Sequence, residues 1–224
     1  MVHSVILVIS LIYWGMKMSK NPKEERKKLL YIFLEGKTED VFYKKITERY
    51  LKSLPKKYKN LQTGTNVNMQ IVKNLYHFIE DSSNSKYDLY VYAFIDKEGA
   101  RSDVSEFDAE AILKKLKAAK VKTSNIKKLA AIEAIFMIES WFFHDLEGIC
   151  KYINLEYTET LKKNYSNTEK FKHTDLAALF RKGKTKKPYK KGEESFLNSL
   201  DIEKIYNNCS DLSTALEGII KNFQ

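Results

Sequence analysis

An α/β fold, with a mostly parallel Rossmann-like sheet flanked by helices and then a helical C-terminal extension, is the architecture this sequence predicts. Three observations carry that reading. Short apolar runs at 29–34, 88–95 and 129–138 read as buried strands. Segments with helical spacing lie between them. Each run stops at or beside a carboxylate: Glu35, Asp96 and Glu139. Such alternation builds an open sheet covered on both faces, and ligands bind such sheets beyond the carboxyl ends of the strands.

The elements follow in chain order. Residues 4–14 (SVILVISLIYW) form an apolar run of 11, well short of the roughly 18–20 that span a bilayer. Neither a cationic start nor a small-residue cleavage site accompanies it. Residues 1–18 therefore read as an N-terminal extension, and no stable membrane insertion is expected. The run LLYIFL, Leu29 to Leu34, is a central strand. After it Thr38 reads as a helix N-cap, and Val41, Phe42, Ile46, Tyr50, Leu51 and Leu54 recur at helical spacing. Pro55 and the lysine-rich stretch after it read as a loop, Val67 to Gln70 as a weak second strand, and Ile71 to Glu80 as a helix. The run DLYVYAFI, Asp88 to Ile95, is the clearest strand, rich in β-branched and aromatic residues. Glu106 to Lys120 reads as a helix and Leu129 to Ile138 as a further strand. The core spans 29–145, and 146–224 forms the mainly helical remainder of the same domain, interrupted by a basic loop.

Composition narrows the function classes. The 224 residues carry 39 Lys+Arg against 29 Asp+Glu, a formal net charge of +10, so a polyanionic partner suits the chain. Cys150 and Cys209 lie far apart, with no CxxC and no histidine at metal spacing. This argues against a disulfide scaffold or a zinc site and for buried thiols in a cytoplasmic protein.

The strand-end acids form one joint hypothesis. Brought together, Glu35, Glu39, Asp96, Glu98 and Glu139 would repel one another unless a cation neutralised them or some stayed protonated. Hard oxygen donors suit Mg²⁺ or Mn²⁺, and such a site can act on a phosphodiester. Ordinary readings stand beside this one. Glu35 and Glu39 suit a solvated helix N-terminus, and Asp96-Lys97-Glu98-Gly99 suits a simple turn. Trp141, Phe142 and Phe143 read as core packing, and His144 as a structural histidine. Arg181, Lys182, Lys184, Lys186, Lys187, Lys190 and Lys191 make a segment with seven basic residues and no acid. It reads either as a solvated loop or as a contact for a phosphate backbone.

Leu34-Glu35-Gly36-Lys37-Thr38-Glu39 with Phe42-Tyr43 resembles the first motif of TOPRIM-domain proteins, nearest to compact members of bacterial defence and abortive-infection loci related to the OLD nucleases. Asp96-Lys97-Glu98-Gly99 resembles the second motif, with Glu98 where a second aspartate is usual. The segment from Ile138 to Asp145 is similar to the E-x-W-L-L-x-D stretch of the compact members, and Tyr189-Lys190-Lys191 with Leu200-Asp201-Ile202 to their C-terminal stretch. The resemblance implies a TOPRIM core in which Glu35, Asp96 and Glu98 are catalytic. It further implies that Glu35 acts as an acid–base or metal-linked catalyst, that Asp96 and Glu98 hold Mg²⁺ (or Mn²⁺), and that Glu39 and Glu139 complete a second metal site. Gly36 would let the backbone approach metal or phosphate closely. The implied activity is metal-dependent cleavage of DNA or RNA in anti-phage defence. The alternative is a non-catalytic nucleic-acid-binding or regulatory module working with a partner ATPase. The sequence leaves homo-oligomerisation open.

Overall fold

The computed structural model describes residues 25–62, 66–97, 107–135 and 137–224. The apolar extension at 4–14 and Glu98 lie outside the described residues. Four parallel strands, β1 (Lys27–Glu35), β2 (Lys56–Leu61), β3 (Tyr87–Lys97) and β4 (Ile126–Ile135), pair in the order β2-β1-β3-β4. Between them run α1 (Gly36–Tyr50), α2 (Val67–Glu80) and α3 (Ala109–Ala118). Among the described residues seven further α-helices follow: α4 (Glu139–Phe142), α5 (Leu146–Tyr152), α6 (Glu159–Asn164), α7 (His173–Lys182), α8 (Glu194–Ser199), α9 (Ile202–Asn208) and α10 (Ser210–Phe223).

The continuous apolar character of β1 has a direct cause: both faces of this strand are covered. Leu30, Ile32 and Leu34 enter one core with Phe42, Tyr43 and Ile46 of α1 and the C-terminal helices. Leu29, Tyr31 and Phe33 enter the other with Ile71, Leu75 and Phe78 of α2 and Ile112 and Leu116 of α3. Strand side chains alternate between faces, so a strand buried on both sides must be apolar at every position. The chain leaves β1 toward β2 by way of α1, then crosses back past β1 to β3 by way of α2. Right-handed crossovers in opposite directions put those helices on opposite faces. The reversal also opens a crevice between the carboxyl ends of β1 and β3, where α/β sheets take their ligands.

Four expectations change. Lys56–Leu61 is strand β2 and not a loop; its burial alternates weakly, and its lysines protect an edge. Val67 to Gln70 opens helix α2 instead of forming a strand, because Asn66 accepts from the Met69 amide at 2.9 Å and caps it. Thr38 is not an N-cap: Glu35 holds that position, and Thr38 is buried in the first turn of α1. The fourth strand ends at Ile135, so Glu139 is no strand end but the first residue of α4.

Candidate functional site

Glu35 is the last residue of β1, and α1 starts at the very next position. Gly36 makes that turn with φ of +87°, a conformation in which a β-carbon is strained. One turn along α1, Glu39 is 7% exposed. Asp96 lies near the end of β3, the strand beside β1, so β1 and β3 deliver their acids to the crevice between them. Asp96 Oδ1 accepts from the Ile138 amide at 2.8 Å, which ties the end of β3 to the start of α4 and brings Glu139 alongside. Glu139 is 1% exposed.

The acids act on one another electrostatically. Burial, then the neighbouring Asp96 and Glu139, push the Glu39 carboxyl up to about 8, against the pull of Lys191. Burial, then Glu139 and Glu35, push Asp96 up to about 7, although the Ile138 amide and Lys191 oppose it. Beneath the cluster Tyr43 is fully buried, and its phenol is driven well above its ordinary value by burial and by Asp96. Two buried oxygens near the acids make no hydrogen bond among the described residues: Glu139 Oε2 and the Tyr43 hydroxyl.

The basic segment is where the structure adds most to the sequence reading. Arg181 and Lys182 end α7, and Lys184, Lys186, Lys187, Lys190 and Lys191 are exposed on the strap of chain that leads to α8. Tyr189 turns inward: its hydroxyl donates to Glu139 Oε1 at 2.9 Å, and its ring packs on Phe180 and Phe196. Three residues later the Gly192 amide donates to Thr38 Oγ1 at 3.0 Å. The strap is thus tied to both α1 and α4, with Lys191 close enough to act on Glu39 and Asp96.

A family model described as a domain of unknown function, DUF4276, matches residues 34–219. The chain belongs to the DUF4276 family. Neither the curated proteins nor the solved structures contain a match to it. The DUF4276 match takes in Glu35, Glu39, Asp96, Glu139 and the whole strap.

Of the predicted acids, four of this DUF4276 chain therefore meet at one crevice, and Glu98 falls outside the described residues. Their oxygen donors and mutual repulsion suit a hard divalent cation, and the orphaned Glu139 Oε2 offers a ready ligand atom. As the side chains stand, no group of three or more His, Cys, Asp or Glu among the described residues is set to hold a metal ion. Trp141, Phe142 and Phe143 are buried core, as expected. His144 bonds Thr168 at 3.2 Å, and Asp145 accepts from the Gly148 and Asp201 amides and so braces α5 and α9. Cys150 and Cys209 are buried free thiols. Tyr43 and Tyr189 entered the sequence reading only as parts of the resembled motifs, and their places beside the acids were not foreseen, because no spacing links either residue to Asp96 or Glu139.

Proposed function

We propose that this DUF4276 protein is a Mg²⁺- or Mn²⁺-dependent nuclease that hydrolyses phosphodiesters in DNA or RNA. One observation carries the reading: four carboxylates crowd the switch point of a parallel sheet, beneath a strap of exposed lysines tied to them by Tyr189. The resemblance to TOPRIM nucleases of anti-phage loci supports the same chemistry and suggests its setting.

Glu35, Asp96 and Glu139 would hold the cation, with Glu39 beside them. The bound ion would supply charge neutralisation at the phosphoryl oxygens and lower the pKa of water. The residues do the rest. Near neutral pH the crowded acids hold a proton, since Glu39 and Asp96 ionise only around 7 to 8. A cation in the crevice would displace that proton and leave carboxylates to orient water. The strap lysines would bind the polyanion through its phosphates, without reading bases.

The test is a cleavage assay on DNA, messenger RNA and tRNA with Mg²⁺ or Mn²⁺, alone and with any partner ATPase. Wild type should cut at least one substrate, and Glu35→Ala and Asp96→Ala should lose at least 10²-fold in rate with the fold retained, on the scale of other charge-stabilising groups. Equal cutting by both variants would sink the site assignment. A second reading, a non-catalytic nucleic-acid-binding or regulatory module, rests on Glu98 standing where the resembled second motif usually has an aspartate. It predicts polyanion binding with no metal-dependent cleavage under any of these conditions.

A further inference from the structure

The polyanion reading leaves Tyr189 of the strap without a task, and its geometry supplies one. Its hydroxyl donates to Glu139 Oε1, while Glu139 Oε2 stays buried and without a hydrogen bond among the described residues. Glu139 opens a helix of only four residues, so the short helix offers little to hold its side chain. The phenol therefore sets which oxygen is engaged and which remains for a ligand. The tyrosine itself is held well. Its ring lies 5.4 Å from Phe180 and 5.9 Å from Phe196, and three residues later the Gly192 amide is tied to Thr38 Oγ1.

We propose that Tyr189 is a positioning residue: it fixes the Glu139 carboxylate so that the free oxygen faces a divalent cation, and it registers the lysine strap against that cation. The inference rests on the reading of the acidic cluster as a cation site. Carboxylates that bind metal are themselves hydrogen-bonded, and removing such a support typically weakens metal binding about 10–100-fold. Polyanion contact on one side of the tether and cation contact on the other thereby share a single side chain.

The experiment is calorimetric titration of the full chain with Mn²⁺ alone, with thermal unfolding of the metal-free protein in parallel. Tyr189→Phe keeps the ring that packs on Phe180 and Phe196 and removes only the donor. It leaves a buried carboxylate without its donor, so it should unfold somewhat below wild type and bind Mn²⁺ about 10–100-fold more weakly. Phe196→Leu loosens the same ring cluster and keeps the donor. It should unfold at lower temperature yet bind Mn²⁺ like wild type. Wild-type affinity in Tyr189→Phe overturns the positioning role, as does an equal loss in Phe196→Leu, which would assign the effect to packing. If wild type takes up no Mn²⁺, the cation reading fails and this inference with it. Mn²⁺ binding that ignores Tyr189→Phe sinks the inference alone.

Discussion

Single residues decide how closely the backbone can approach the crevice. Gly36 and Gly192 both have positive φ, +87° and +71°, and they lie on the two segments that the Thr38 hydroxyl joins. At Gly192 a β-carbon would also stand 2.6 Å from Lys37 Cβ, in a segment that has no slack between its two tethers. Gly192→Ala should therefore cost about 1–2 kcal/mol from the backbone conformation alone, with the clash added. The strap should lift, and trypsin should cut at its lysines faster than in wild type at the same temperature. Unchanged proteolysis would mean the strap is not held at that point. Gly36 was legible only through the resembled first motif, as a place where the backbone comes close to a ligand. Gly192 gave no such signal, since its constraint comes from a helix more than 150 positions away.

At the scale of elements, the strap is an irregular segment made definite by side chains at both ends. Its cations project outward while Tyr189 projects inward, so one short stretch serves a polyanion and the acidic cluster together. Lys184→Ala and Lys187→Ala should each weaken binding of an oligonucleotide without sequence preference. Each should reduce the dependence of log affinity on log salt by about 0.7–0.9, the expected slope per phosphate contact. Anisotropy titrations over a range of KCl concentrations measure this, and an unaltered slope would remove that lysine from the interface. Legibility also varies by element. Strands β1 and β3 announce themselves because both faces are buried. Strand β2 does not, because an edge strand of three lysines, a tyrosine, an asparagine and one buried leucine carries no pattern until its partner is in place.

The whole molecule holds its acids at a cost. Glu39 and Asp96 have folded-state values near 8 and near 7, above the roughly 4 of an unfolded carboxylate. Between these limits the folded chain binds more protons than the unfolded one, so stability must fall as pH rises through that window. The metal-free protein should thus melt at lower temperature at about pH 8.5 than at about pH 6. Asp96→Asn should flatten the decline, and Mn²⁺ should oppose it most at the alkaline end. Melting curves at several pH values check this; a wild type that gains stability from pH 6 to 8.5 would contradict the crowded cluster. The +10 net charge thus conceals two opposed regions, an acidic crevice and a basic surround. Among the described residues no helix is long and apolar enough to cross a membrane.

What the sequence determined alone was the α/β class, the two central strands and the acids Glu35 and Asp96 at their ends. These are local consequences: a strand buried on both faces must be apolar throughout, and it must stop where the crevice begins. Tertiary structure decided the rest. It made Glu139 a helix start tied to Asp96 through the Ile138 amide, turned lysine-rich residues into an edge strand, and set Tyr189 against Glu139. Each depends on contacts between distant segments, and no periodicity records a contact whose partner lies 40 or 50 positions away.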